Sequence, residues 1–312
     1  MTRYIIKRLL FLLPLIVFIT FFAFVLLAMR SSDPAEVALR VNQVTPTEEM
    51  VESMRQELGL DQPFFLRYAT WLKDGLTGDF GSSYVTREPV LDLILEALPA
   101  TLQLAGMSLL FIIVLSLLFG MVCAYAAHTW LDRIVRAFVF IAASMPSFWL
   151  GILFIWLFSV KFNWVNTSGM EGFKSILLPA MTLSLGYLST YVRLIRNQIL
   201  KFQHEPFVFY ARARGLKERT IQLKVMRHAL QLAVTALGMS IPKLIAGTVI
   251  IENLFAWPGV GRLCVTAIFH ADFPIIQAYL FVMGCLFVVC NLVADVIQMI
   301  MNPQLRKEVK KI

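Results

Sequence analysis

The sequence predicts an all-α membrane protein with six transmembrane helices, and three observations predict it. Hydrophobic residues make up 58% of the 312 and charged residues only 15%, against roughly 45–50% and 25% in a soluble domain. The apolar residues come in blocks long enough to cross about 30 Å of hydrocarbon at about 1.5 Å per helical residue. Lysine and arginine gather in alternate connections between those blocks, the pattern by which membrane helices are oriented.

The first block, residues 9–29, runs 21 residues without a charge behind Arg3, Lys7 and Arg8. It exceeds the roughly 7–15 apolar residues of a secretory signal, and no small-x-small cleavage site follows it, so 1–29 reads as a permanent N-terminal anchor. Residues 30–96 carry 12 acidic and 6 basic residues, with turn signals at Ser32-Asp33-Pro34 and Gly78-Asp79-Phe80-Gly81. They read as a small extramembrane region with a capped helix over 47–54 and an amphipathic one over 64–76.

Five further apolar runs, 97–127, 137–160, 175–192, 229–251 and 273–301, complete the six spans inside a core of residues 97–312. Pro146, Pro179 and Pro242 fall within them and are expected as kinks. The connections on one side of these spans hold eighteen Lys and Arg residues, in the N-terminus, the 132–136 loop, the 193–227 stretch and the tail. Those on the other side hold nine, and Lys243 lies in a span. The excess predicts that both termini are cytoplasmic and that the acidic 30–96 region faces outward.

Chemistry is sparse. No HExxH, GxSxG or Cys/His pairing marks a catalytic site, and no GxxxxGK[ST] phosphate loop occurs, so the chain reads as no enzyme and any ATP-driven work belongs to a partner. Cys123, Cys264, Cys285 and Cys290 lack CxxC spacing and read as small membrane-helix residues rather than a zinc site or disulfide framework. His128, His204 and His228 fall on one predicted side and His270 on the other, so neither a metal site nor a cofactor is expected. A secondary transporter would be expected to show internal repeats and more acids within its spans than Asp295.

The inward stretch over 193–228 is the most informative. It is helix-forming, interrupted by Pro206 and Gly215, with Tyr210-Ala211-Arg212-Ala213-Arg214-Gly215-Leu216 at its centre. A short helix of small residues ending in glycine lets another protein approach closely, and the flanking basic residues supply charge complementarity. From the residues alone a basic helix lying against anionic lipid headgroups fits equally well. Lys243 and Asp295 sit inside spans, where each needs a partner or water; they either pair across the bundle or line a path. The 252–261 segment reads as an outward gate or re-entrant loop, with Glu252 at its start, Trp257 as an interfacial aromatic, and Pro258, Gly259 and Gly261 as helix breakers.

The inward stretch resembles the coupling loop, the EAA loop, of ATP-binding-cassette importer permeases of the dipeptide, oligopeptide and nickel branch, whose loops carry a YxxxARxxGL pattern. Other matches to that branch run the length of the chain: Arg8-Leu9 with Pro14, Gly78-Asp79-Phe80-Gly81-Ser82-Ser83 with Pro89-Val90, Leu98-Pro99-Ala100-Thr101-Leu102, Ser144-Met145-Pro146-Ser147-Phe148-Trp149, Leu178-Pro179-Ala180, Glu252 to Gly261, Asp272-Phe273-Pro274 before Gln277, and Asn291, Asp295 and Asn302-Pro303. Two departures stand out. Leu230-Gln231-Leu232 replaces the proline common after the loop, and Phe209 occupies the glutamate position of the EAA pattern.

The resemblance implies a type I importer permease fold, with Phe207, Tyr210, Ala211, Arg212, Ala213, Arg214, Gly215 and Leu216 coupling to two ATPase subunits. It implies a cell inner membrane as the location, while Lys243, Glu252, Trp257, Pro258, Gly259 and Asp295 are read from their own places in the spans and the 252–261 segment as pore or gate residues. A second homologous permease would complete the pore as a heterodimer, an extracytoplasmic solute-binding protein would deliver the cargo, and membrane lipid would surround the whole. Phe255-Ala256-Trp257-Pro258-Gly259 and Asn166-Thr167-Ser168-Gly169 resemble members that import nickel or another divalent metal as a small chelate, with dipeptide or oligopeptide import as the alternative.

Overall fold

Short polar side chains decide where the first short helices begin. The computed structural model of the chain describes residues 2–29, 33–41, 46–165 and 168–301, with side chains at 14–29, 33–40, 46–165 and 168–299. The expectations placed on Arg3, Lys7, Arg8, Asn166, Thr167, Asn302 and Pro303 fall on side chains or residues outside these. Helix α1 covers Thr2–Ala28, with an apolar stretch Pro14–Ala28. Asp33, expected within a turn, instead starts a helix. Its carboxylate accepts the Ala35 N–H at 3.0 Å and Pro34 opens α2, Pro34–Val41, because a proline without a donor fits the first helical turn. Asp33 also pairs with Arg55 of α3, Glu48–Glu57, at 2.7 Å. Thr47 caps α3, accepting the Met50 N–H at 3.4 Å.

Helix α4, Phe64–Leu76, has the expected bounds. It lies along α1, where the Tyr68 hydroxyl donates to the Val17 carbonyl at 2.9 Å and meets the Thr20 hydroxyl at 3.0 Å. The Phe21 and Phe24 rings pack edge-on against Tyr68 and Phe64.

Among the described residues three helices are long and apolar enough to cross a membrane: α5, Val90–Tyr125; α8, Phe173–Gln203; and α13, Phe273–Met301, over its stretch to Met299. The third and fifth expected spans differ from the expectation of kinked single helices. Between α6, Trp130–Ser144, and α7, Ser147–Phe154, which continues as a π-helical turn over Ile155–Lys161, the chain bends by 105°. Pro146 disfavours the helical conformation at the residue before it, and Met145 is extended (φ −82°, ψ 141°). The other bend, 55°, separates α10, Glu218–Gly238, from α11, Ile241–Leu254, with Pro242 in the first turn of α11. The Ala236 carbonyl, which an unbroken helix would pair with the Ser240 N–H, accepts the Tyr191 hydroxyl at 3.1 Å instead. Helices α8 and α10 also run on past the apolar blocks at 175–192 and 229–251, since a helix need not stop where hydrocarbon ends. Two shorter helices complete the set: α9, Pro206–Ala213, within the 193–228 stretch, and α12, Val260–His270, which the sequence did not suggest.

The described residues pack as two units. One joins the residues up to Thr101 with Pro258–Val289 around Phe80, Val90, Ile94, Val260 and Ile275. The other takes Leu102–Trp257 with the described residues from Cys290 on. In it α8 is central, burying Leu185, Leu188 and Val192 against α5, α6 and α7, and Ile195 and Ile199 against α9 and α10. Asp132 is fully buried near the start of α6. Its carboxylate accepts from Arg196 of α8 through two nitrogens at 2.9 and 3.0 Å, from Arg136 at 2.9 Å, and from the His128 N–H at 3.3 Å. A buried carboxylate persists where its oxygens are saturated in this way.

The α5–α8 crossing depends on Gly120. A Cβ there would sit 2.8 Å from Cγ2 and 2.9 Å from Cβ of Ile195, so the helices themselves would have to separate. Gly120→Ala should therefore lower stability by about 1–3 kcal/mol through overpacking, although alanine is the better helix former by about 1 kcal/mol. Gly106→Ala on the same helix, where nothing lies within 4 Å, should leave thermal unfolding in detergent unchanged or raised.

Candidate functional site

Helix α9 is short because both of its ends are specified. Pro206 occupies its first position after Glu205, and Gly215 adopts φ +72° beyond its last turn. The Gly215 N–H returns to the Arg212 carbonyl at 2.9 Å and the Leu216 N–H to Ala211 at 3.1 Å, a paired closure that needs a left-handed residue and so favours glycine. Val208 and Ala211, three apart, face the protein and join Ala124, Ile195, Ile199, Ile221, Val225 and Ala229. The Phe207 ring lies 5.4 Å from the His228 ring. Arg212 reaches Glu218 of α10 at 2.8 and 3.2 Å and ties the far side of the turn.

These contacts leave Phe209 and Tyr210 71% and 66% exposed, with Arg212, Ala213, Arg214, Gly215 and Leu216 beside them. Of the small residues read as a surface for close approach, Ala211 belongs to the inner face, because the i, i+3 spacing puts it under Val208. The two neighbouring aromatics are the outstanding features of the free surface, and their rings meet edge-on at 6.0 Å. Phe209, noted in the sequence as a departure, is the more exposed of the pair.

The 252–261 segment is less open than expected. Glu252 and Trp257 are 0% and 1% exposed, so Trp257 is a core residue and not an interfacial anchor. Helix α11 closes with the Trp257 N–H on the Glu252 carbonyl at 2.8 Å and the Ala256 N–H on Asn253 at 3.4 Å, Ala256 standing at φ +50° where glycine is usual. This closure turns the Trp257 ring inward, to the wall of an apolar cavity of about 600 Å³ bounded by Gln103, Met107 and Leu110 of α5 and by Met170, Phe173 and Ile176. Pro258 is exposed and Gly259 buried, Gly259 serving as the N-cap position of α12. The first donor of α12, the Val260 N–H, finds the Thr101 hydroxyl at 2.9 Å. Lys243 is exposed on α11, and Asp295 is partly buried on α13.

One junction was not legible as a pair. Asp272, buried at 1% between α12 and α13, accepts from the Ser83 hydroxyl, from the Tyr84 N–H at 3.2 Å and from the Val85 N–H at 3.4 Å. Both strings, Gly78 to Ser83 and Asp272-Phe273-Pro274, stand out in the sequence, yet 189 positions separate the partners. Burial, with the Asp272 carboxylate adding to it, pushes the Tyr84 phenol up to about 12. This latched loop borders a cleft of about 480 Å³ that also touches Arg67, Trp71 and Gln277. The Arg67 guanidinium there lies 5.7 Å from the centre of the Phe24 ring, and burial lowers its pKa.

Long apolar helices, two bent pairs, and a short helix clamped where the end of α8 meets the start of α10 mark an integral membrane protein. Residues 116–307 match the family described as binding-protein-dependent transport system inner membrane component, and residues 1–105 match its N-terminal membrane component; the chain belongs to this family. It is 37% identical over 309 residues to the metal-staphylopine import system permease protein CntB of Staphylococcus aureus, covering 98% of this chain and 99% of that one. It is 33% identical over 307 residues to the glutathione transport system permease protein GsiC of Escherichia coli, at the same coverage. Among solved structures, the inward-facing MetNI methionine ABC transporter matches with a TM-score of 0.57 and 21% identity over 69% of this chain and 99% of that chain, a likeness of fold. The chain is thus an ATP-binding-cassette importer permease subunit of type I fold, which works with ATPase and substrate-binding partners and is not itself an enzyme.

Removing the Asp272 carboxylate should release the loop it latches. Hydrogen bonds to a charged group contribute about 1.5–3 kcal/mol, so Asp272→Ala should speed tryptic cleavage after the exposed Arg87 by about tenfold or more under native conditions. Cleavage at the wild-type rate would show that the loop is held by other contacts.

Proposed function

We propose that this permease imports nickel or another divalent metal as a small chelate, together with a second, homologous permease that completes the pore. The observation that carries the reading is the end-to-end similarity to a metal-staphylopine permease. An exposed lysine on an apolar helix supports it. A bare divalent cation approaching Lys243 in a low-dielectric path is repelled, whereas a chelate carrying carboxylates is attracted. Short peptides are the second reading, favoured by the similarity to a glutathione permease, and they too carry a carboxylate. In this reading both termini and α9 lie in the cytoplasm of an inner-membrane protein and the Asp272-latched loop outside, where a solute-binding protein docks, an orientation that the Lys/Arg excess supports.

In this reading two ATPase subunits grip α9. Phe209 and Tyr210 enter a cleft on the ATPase, Arg212 and Arg214 supply charge complementarity, and the buried Val208–Ala211 face transmits the push to α8 and α10. Trp257 closes one wall of the path, backed by the buried Glu252, with Pro258 and Gly259 as the hinge beside it, while Asp295 supports the bundle on α13.

The Phe209→Ala/Tyr210→Ala pair should reduce uptake at least tenfold in the reconstituted complex while leaving membrane insertion intact, since the two side chains face away from the core. Wild-type uptake would remove α9 as the coupling element. Uptake of radiolabelled nickel should require an added small chelator, and Lys243→Met should weaken it more than Lys243→Arg. Equal transport with and without chelator, or efficient import of unmetallated dipeptides, would overturn the metal-chelate reading in favour of a free ion or a peptide.

A further inference from the structure

A strongly basic cavity is lined by neither α9 nor Trp257. It is an open pocket of about 410 Å³ between the first turns of α6 and the 189–197 stretch of α8, lined by four arginines, Arg133, Arg136, Arg193 and Arg196, with Ser189 and Asn197 among them. Among the described residues the carboxylate in contact is that of Asp132, whose two oxygens already accept from Arg136, Arg196 and the His128 N–H. Four guanidinium groups against one carboxylate leave a formal excess of three positive charges. Asp132 aims Arg196, only 13% exposed, along the pocket wall, and among the described residues Arg133 and Arg193 form no ion pair.

Such an excess at the mouth of an apolar bundle calls for a counter-anion. The other walls say which kind. Ala137, Val139, Phe140 and Val192 line the same pocket, and Ile134, Phe138 and Ile141 leave the neighbouring face of α6 apolar and more than half exposed. Charged and apolar surface meet over about two helical turns, the geometry of the boundary between headgroups and acyl chains. A small inorganic anion would use the arginines and leave the apolar wall wet; a diacyl phosphate ester uses both.

We propose that this pocket binds the phosphate of an anionic phospholipid, with Arg133 and Arg193 as the recognising groups and Asp132 positioning Arg136 and Arg196 beside them. The lipid neutralises the cluster, and its acyl chains cover the exposed face of α6. The site is independent of the identity of the cargo, so its test does not read transport.

The measurement is native mass spectrometry of the assembled transporter with phosphatidylglycerol or phosphatidylcholine of matched acyl chains. Wild type should retain phosphatidylglycerol selectively. Arg133→Gln/Arg193→Gln should weaken that retention about thirtyfold, roughly fivefold for each charge removed near a membrane surface. Arg196 is left in place because its loss would strand the buried Asp132. Should the double variant fail to insert, Arg193→Gln should lose about fivefold and Arg193→Lys much less. Equal retention of the two lipids, an unchanged preference in the double variant, equal behaviour of the Gln and Lys variants, or displacement of phosphatidylglycerol by millimolar inorganic phosphate would each overturn the lipid assignment.

Discussion

Backbone hydrogen bonding without water is the constraint on which this structure depends. In hydrocarbon each N–H and C=O must find a partner within the protein, so the chain is helical wherever it can be and needs a specific device wherever it stops. The breaks are therefore the informative places. The bend before α11 returns the Ala236 carbonyl to the Tyr191 hydroxyl. The end of α11 recovers its carbonyls through Ala256 and Trp257, and the start of α12 gains the Thr101 hydroxyl. Buried hydroxyls follow the same rule, Ser108, Thr182 and Thr248 each donating to a carbonyl of their own helix.

The same constraint places the functional surfaces. Helix α9 leaves Phe209 and Tyr210 exposed because Pro206 and Gly215 cut it out of what would otherwise be one long helix, while Val208 and Ala211 weld it to the ends of α8 and α10. The coupling role proposed for α9 needs a surface that is stiff in itself and firmly attached, and both of its ends and its inner face are fixed. The exposed aromatics supply contact area with few rotatable bonds. At the Ser83–Asp272 junction, an irregular loop keeps one shape because a single carboxylate gathers a hydroxyl and two backbone donors.

Much of this was legible in the sequence because it depends on period and punctuation. Six apolar blocks, the α4 bounds at Phe64–Leu76, and the Pro206 and Gly215 interruptions are local signals, and each corresponds to a structural element. The features that were not legible depend on long-range partners. Nothing near Asp132 reveals that Arg196 completes it, and nothing near Ser83 points to Asp272. Trp257 was misjudged for the same reason: an aromatic before Pro-Gly suits a membrane interface, but the closure at Ala256 turns the ring inward. Ala211 was misassigned through composition, since small residues serve a close approach to a neighbouring chain and a tight internal core equally well. Asp33 shows the reverse: Ser-Asp-Pro is both a turn signal and a helix start, and the helix-forming residues after Pro34 decide between them.

The Asp132–Arg196 pair also has a place in time. The two residues lie 64 positions apart, so at about 5–20 residues per second a ribosome needs roughly 3–13 s to reach the second after the first. For that interval the Asp132 carboxylate has its local partners, Arg136 one turn along the same helix and the His128 N–H, and the part of α8 that carries Arg196 has not been made. The helix that brings Arg196 thus does more than add a contact: its arrival converts a segment content to linger at the water boundary into one committed to the bundle.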